Sequence, residues 1–357
     1  MPADTALSAN TTAPMPRRPI GGGGSRKLAA VDLPALGLGC MGMSDFYGHA
    51  DRDESIATIH AALDQGMVLL DTGDFYGSGH NEMLIREALS GRRREDVFIA
   101  VKFGGMRSPD GGFVGIDTRP AAVKNALAQT LRRLGTDYVD LYQPARLDPA
   151  VPIEDTVGAV KEMIDAGYVR HLGLSEVGAT TLERASAVHP VRWLQIEYSV
   201  LSRGIEAEIL PAARRLGIGI SAYGVLSRGL LGSDWRQRAE ALDPRDFRAH
   251  LPRFSGDNLV HNLALAEVLS VIAGEKAATP AQIAIAWVLA QGPDIVPLIG
   301  ARRRTRLTEA LGALDIHLDS GDLARIRDAI PAEAVAGTRY DAGQMRMLDS
   351  ERRPPMD

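Results

Sequence analysis

Eight short apolar runs, separated by amphipathic stretches, constrain this chain more than any other feature. They fall at about 36–41, 67–72, 97–103, 137–143, 169–175, 193–199, 217–223 and 295–300 and are rich in Val, Ile and Leu. Near-continuous apolar runs of this length suit strands buried on both faces of a parallel sheet. The stretches between them carry helix signals in order. Ile56, Ile59 and Leu63 recur at helical spacing ahead of Gly66; Val123, Leu127, Leu131 and Leu134 follow Pro120 and stop at Gly135; Val157, Val160 and Ile164 precede Gly167. Such alternation admits a closed (β/α)8 barrel or a doubly wound open sheet. The count of eight favours the barrel. So does the first strand's turn, Gly37-Leu38-Gly39-Cys40-Met41-Gly42, which is not followed by the helix that a dinucleotide-binding glycine turn would open. The predicted fold is an α/β protein, a single-domain (β/α)8 TIM barrel over residues 26–357. A long loop at 226–260 and an extra helix at 262–276 precede the last strand, and a polar-apolar segment at 332–357 closes the chain.

Composition removes other classes. Hydrophobic residues at 45% and charged residues at 24% are ordinary for a globular chain. The single cysteine, Cys40, excludes a disulfide framework and a Cys-based zinc site, and suits a reducing, cytoplasmic compartment. A net charge of −5 argues against a nucleic-acid groove, which runs on surplus Lys and Arg. No apolar run approaches the ~20 residues that span a bilayer. Residues 1–25, ending in Gly21-Gly22-Gly23-Gly24-Ser25, are predicted to be a flexible tail; Arg17-Arg18 lacks the apolar stretch that an export signal needs.

In such a barrel the active site lies at the carboxyl ends of the strands. The polar residues expected there are Asp71 and Tyr76, Lys102, Gln143, Ser175 with Glu176, Gln195 with Glu197, Tyr223 and Arg302. Asp71 and Lys102 each end an apolar run, and a lone buried charge is costly, so each needs a partner. Neighbouring strands place them side by side. Tyr76 reaches them if its loop folds back, and a phenol beside an ammonium is a stronger acid than a free one. The three describe a proton donor for a carbonyl oxygen, or a base for an alcohol. A salt bridge at the barrel mouth with a packing tyrosine is the plainer alternative. Cys40 and His171 are expected to be structural, and His80 to lie in a helix-start region. Trp235, Phe247, Met345 and Met347 are candidate pocket walls.

The stretch Leu70-Asp71-Thr72-Gly73-Asp74-Phe75-Tyr76-Gly77-Ser78-Gly79-His80-Asn81-Glu82 resembles the signature of the aldo-keto reductases. Further likeness runs in order through Leu36–Ser44, Val101–Gly104, Gly173–Glu176, Gln195–Ser199 and Ala222-Tyr223, spanning about Arg26 to Tyr340. The resemblance implies an NADP(H)-dependent barrel enzyme that reduces aldehydes and ketones. It assigns Asp71, Tyr76 and Lys102 to three of four catalytic positions, with Tyr76 as the general acid. The fourth departs: relatives carry His-Arg where this chain has Ala145-Arg146. Losing such a donor costs on the order of 10²–10³ in rate. We expect compensation, by a bulkier substrate or a bridging water in the vacated space.

The same likeness lays a nicotinamide on Tyr223, with its carboxamide held by Ser175, Glu176 and Gln195. Residue 176 is usually Asn; a carboxylate accepts from the amide nitrogen but cannot donate to its oxygen. Gly224, Leu226 and Arg228 are candidates to cover the pyrophosphate. Four arginines at a helix start, in Gly300-Ala301-Arg302-Arg303-Arg304-Thr305-Arg306, call for an anion, and a 2′-phosphate supplies one. Arg302, Arg303 and Arg306 are expected to hold it and Glu309 to reach the adenine, so NADPH is favoured over NADH. No metal is expected; the partner is a small carbonyl compound. Three other functions fit the same residues: alcohol oxidation, a Schiff-base lyase using Lys102, and a cofactor-sensing regulatory subunit with little turnover.

Overall fold

The computed structural model describes residues 15–20, 31–232 and 246–352. Two strands at the amino-terminal end, β1 (Arg17–Ile20) and β2 (Val31–Pro34), pair antiparallel. The eight barrel strands are β3 (Gly37–Gly39), β4 (Leu69–Gly73), β5 (Phe98–Phe103), β8 (Val139–Pro144), β9 (Val169–Ser175), β10 (Val191–Glu197), β11 (Gly219–Tyr223) and β12 (Ile295–Gly300). They close in sequence order, with β12 pairing back onto β3, and every pairing is parallel. All eight apolar runs are strands. A short hairpin, β6 (Gly105–Arg107) with β7 (Phe113–Ile116), rises after β5.

The helices between strands are α1 (Arg52–Asp64), α2 (His80–Ala88), α3 (Pro120–Leu134), α4 (Ile153–Asp165), α5 (Ala179–Val188) and α6 (Ile209–Leu216). Their ends follow local chemistry. Pro120 begins α3 where its missing N–H costs nothing, and Gly135 ends it in the left-handed region at φ 67°. After β11 come α7 (Gly256–Leu265), α8 (Glu267–Glu275) and α9 (Pro280–Ala290); α10 (Arg304–Leu311), α11 (Ser320–Ala329) and the single turn α12 (Ala342–Met345) follow β12.

Two boundaries differ from expectation. The extra helix is two helices, α7 and α8, meeting at Ala266. The first 25 residues are not wholly a tail, since Arg17–Ile20 form β1. Leu33 of β2 joins Leu69, Ala100, Leu141, Trp193, Val296 and Leu298 in an apolar cluster inside the barrel. The hairpin therefore plugs the amino-terminal end. The larger core fills the layer between strands and helices and includes Cys40, Ile59, Leu127 and Val160.

Period-2 alternation carries this apolar layer up to the carboxyl rim. Leu69 is two residues below Asp71, Ala100 two below Lys102, Leu141 two below Gln143 and Trp193 two below Gln195. The same strand face that is apolar at the bottom is polar at the top.

Candidate active site

Register fixes the first pair. Gly73 on β4 is opposite Lys102 on β5, and Lys102 is opposite Gln143 on β8. The Lys102 ammonium donates to Asp71 Oδ1 at 2.5 Å, and Gln195 Nε2 donates to Asp71 Oδ2 at 2.6 Å. Asp71 and Lys102 are 5% and 4% exposed, so each supplies the counter-charge without which the other's burial is costly. Burial pushes Lys102 below its ordinary value against the pull of Asp71.

Tyr76 comes back over this pair because Gly77 and Ser78, directly after it, both take left-handed backbone (φ 54° and 52°). The Lys102 ammonium is 5.2 Å from the Tyr76 ring centre, and the phenol is buried. Its acidity is not raised as expected. Burial first, then the Asp71 carboxylate, push the phenol well above its ordinary value, and the guanidinium of Arg146 is the foremost cation opposing them. Phe75 packs edge-on against the Tyr76 ring at 4.8 Å, Phe46 at 6.4 Å, and Phe247 against Phe46 at 5.7 Å. Phe247, a candidate pocket wall, packs on Phe46 and lies 6.1 Å from the Tyr340 ring; Trp235 lies outside the described residues.

On the other side of the mouth the chain does something its motifs do not announce. Glu176 and Glu197, at the ends of β9 and β10, are buried and held by arginines from distant segments. Arg339 donates to Glu176 Oε2 at 2.8 Å and to Glu197 Oε2 at 3.3 Å; Arg228 meets Glu197 at 2.8 Å, and Arg253 lies 3.7 Å from it. Glu176 also accepts from Ser350 Oγ at 2.6 Å, Tyr223 Oη at 2.7 Å and the Glu197 backbone N–H at 2.9 Å. Burial would raise the Glu176 carboxyl, but Arg339 and its other donors hold it far below the ordinary range. Tyr340 completes the closure: its hydroxyl is 2.8 Å from that of Tyr223, and Arg228 lies over its ring at 4.4 Å. The segment 339–351 is latched across the barrel mouth.

This revises two expected contacts. Both Glu176 oxygens are occupied by protein donors, which leaves none for a carboxamide in this arrangement. Arg228 is drawn to Glu197 instead of standing free over a pyrophosphate. Ser175 is buried at the rim, and Gly224, at φ 65°, turns the chain after Tyr223 with Leu226 packed on the core. The arginine run also divides. Arg304 pairs with Glu54 and Arg306 with Glu309, both at 2.8 Å, while Arg302 donates to the Tyr47 carbonyl at 2.8 Å. Glu309 is accordingly tied to the run. Arg303 is exposed at the start of α10, and Gly300 has open space around it.

The sequence does not point to Arg339, Tyr340 and Ser350 as site residues. One signal was available: a carboxylate at residue 176 requires a cation once buried. Nothing local says which arginine supplies it. Other residues sit as expected. Cys40 is buried; His80 opens α2 with Nδ1 2.8 Å from Ser44 Oγ; His171 stacks on Phe98 with its pKa pushed down to about 4 by burial and by Arg192 and Arg170. A cavity of about 610 Å³ lined by Met83, Arg94 and Thr136 opens at the amino-terminal ends of the strands, away from all of this. Among the described residues no helix is long and apolar enough to cross a membrane, and no three His, Cys, Asp or Glu side chains are grouped to hold a metal.

The sequence model of the Aldo/keto reductase family matches residues 35–331. The chain is 40% identical over 316 residues to a protein of Glycine max named probable aldo-keto reductase 1, covering 87% of this chain and 90% of that one. It is 37% identical over 338 residues to aldo-keto reductase yakc of Schizosaccharomyces pombe, whose name carries NADP(+), covering 93% and 98%. Among solved structures it is similar to the glycerol dehydrogenase of Gluconobacter oxydans, with a TM-score of 0.78 and 26% identity, covering 96% and 98%.

Proposed function

Starting from the aldo/keto reductase family, to which this chain belongs, we propose that it reduces an aldehyde or ketone to the alcohol with NADPH, using Tyr76 as proton donor. Members of the family are NADP-dependent oxidoreductases acting on carbonyl and alcohol groups. One observation carries the assignment to this site: the Lys102–Asp71 pair at 2.5 Å with its ammonium 5.2 Å from the Tyr76 ring, at the carboxyl rim.

The residues present fit a nicotinamide dinucleotide in most of its parts. The Tyr223 ring offers a flat face, Ser175 a buried hydroxyl and Gln195 an amide beside it. Gly300, with open space about it, and the guanidinium of Arg303 suit a phosphate at the start of α10. Glu176 and Arg228 do not belong to that set while they hold the segment 339–351. The reduced nicotinamide, when bound, supplies the hydride to the carbonyl carbon.

The protein supplies the rest. Tyr76 donates a hydrogen bond to the carbonyl oxygen and gives up its proton as charge develops there. Its high proton affinity keeps it in the acid form at neutral pH. The phenolate left behind is stabilised by the Lys102 ammonium, which Asp71 and Gln195 hold in place. Phe46, Phe75 and Phe247 keep water away, which strengthens each of these interactions. A Schiff-base lyase would need a neutral Lys102, whereas here the ammonium is tied to a carboxylate.

The test is NADPH oxidation by the purified chain across aromatic, aliphatic and sugar aldehydes. Tyr76→Phe is expected to lose about 10²–10⁴-fold in kcat while still binding NADPH, as followed by its fluorescence. NADPH binding with no turnover on any carbonyl would support the regulatory-subunit alternative instead.

A further inference from the structure

We propose that the substrate carries a carboxylate close to its reacting carbonyl and that Arg146 holds it; this rests on the reductase function above. Arg146 follows Ala145 at the end of β8, and the Ala145 backbone N–H is bonded to the Phe103 carbonyl at 2.8 Å. The turn bearing Arg146 is therefore pinned to the strand that bears Lys102. Its half-buried guanidinium donates one hydrogen bond, from Nη1 to the Ala145 carbonyl at 2.7 Å, and lies 5.9 Å from the Tyr340 ring centre. A guanidinium has five N–H donors, so most of its capacity is unspent within the protein.

The cations of the rim are Lys102, Arg146, Arg228, Arg253 and Arg339; the buried carboxylates are Asp71, Glu176 and Glu197. Lys102 is taken by Asp71, and the other three arginines by Glu176 and Glu197. Among the described residues, Arg146 alone of the five has no carboxylate within ion-pair distance. Glu176 acts on it from further away, but its oxygens are already shared among Arg339, Ser350 and Tyr223. Burial opposes the guanidinium charge, but Tyr223, Tyr340 and Glu176 outweigh it, so the cation is kept and its remaining N–H groups are donors that an incoming anion takes.

The position of Arg146 selects the kind of anion. Its charge is felt by Tyr76, Lys102, Tyr223 and Glu176, which surround the reacting position. The dinucleotide's 2′-phosphate is expected at the arginine run after β12 and its pyrophosphate beside Gly224 after β11, so the anion assigned to Arg146 after β8 is the substrate's own. A planar carboxylate is the anion that a guanidinium meets with two parallel hydrogen bonds.

The experiment uses the full chain with NADPH and matched aldehydes: succinic semialdehyde against butanal, and 2-carboxybenzaldehyde against 2-methylbenzaldehyde. The charged member of each pair is expected to have the higher kcat/KM. Arg146→Gln should cut kcat/KM for the charged members roughly 10- to 100-fold more than for the neutral ones, the extra loss falling mostly on KM. Arg146→Lys should recover part of the loss, since it keeps the charge but not the bidentate geometry. Non-reactive benzoate should bind the wild type in the presence of NADP+ and not Arg146→Gln, as read by calorimetry. Preference for the neutral aldehydes, or an equal loss on both kinds in Arg146→Gln, overturns the proposal; the equal loss would make Arg146 a donor to the carbonyl oxygen. Turnover of neutral aldehydes alone leaves the reductase function standing without the carboxylate. No NADPH oxidation with either kind removes both.

Discussion

The two sides of the barrel mouth solve the same electrostatic problem in different ways. On the β4–β5 side one carboxylate meets one ammonium from the next strand, two positions off register and 31 residues along the chain. On the β9–β10 side Glu176 and Glu197 are neutralised by Arg228, Arg253 and Arg339, which arrive from the long loop and from the stretch between α11 and α12. Adjacent strands bring the first pair together as soon as the sheet forms. The second cluster exists only when the chain's last segment returns across the mouth. The Asp71–Lys102 pair lies on the first side, and the segment 339–351 is held against the second.

Five measurements would break or sharpen this contrast, beginning with the largest effect. Lys102→Met leaves Asp71 buried without its cation; it is expected to lower kcat at least 10²-fold and to cost about 3–5 kcal/mol in denaturant unfolding. Equal stability to wild type would mean that the pair is not a buried one. Arg339→Met is expected to cost about 3 kcal/mol, and Glu176→Gln with Arg339→Gln much less, because neutral partners strand no charge. A double variant as weak as the single one would show that the latch works by shape instead of charge. The same carboxylate predicts a pH signature. Glu176 is held below its ordinary value of 4.5, so its contribution is present above that pH and lost as the medium is acidified below it. Thermal melts of Glu176→Gln should show a shallower acid loss than wild type.

Ala145→His sharpens the contrast on the catalytic side. If contacts in the space beside Ala145 already compensate for the missing histidine, turnover should rise less than about tenfold on any aldehyde, against the 10²–10³ that an absent donor would cost. A uniform rise across all aldehydes would show that nothing compensates.

The smallest effect belongs to Asp74, three residues past Asp71 but with no cation of its own. Arg133 is paired with Glu82, and Asp74 Oδ1 has no hydrogen-bond partner among the described residues. Burial first, then Glu82, raise its carboxyl from 3.8 to about 7. The unfolded chain therefore releases this proton at lower pH than the folded one, and stability falls as pH rises between those values. Asp74→Asn should melt higher than wild type at pH 8 and close to it at pH 4.

Much of this was legible before any coordinates. Apolar runs of strand length, helical spacing between them and stops at Gly66, Gly135 and Gly167 specify strand, helix and turn through interactions a few residues long. The pairing of Asp71 with Lys102 was equally readable, because each ends an apolar run and strand order alone makes them neighbours. The hairpin of β1 and β2 was not, since Arg17–Ile20 sits in a segment too polar to predict order and is held by pairing with β2.

By itself the sequence determined the barrel, its polar rim and the residues that end its strands, because alternation and end signals are local. Only the tertiary structure decided that Arg339 holds Glu176 from 163 positions away, that Arg228 serves Glu197, and that Arg146 has no carboxylate within ion-pair distance among the described residues. Which buried charge meets which depends on where distant segments come to rest, and a small carboxylate accommodates only the few donors that packing brings within about 3 Å of it.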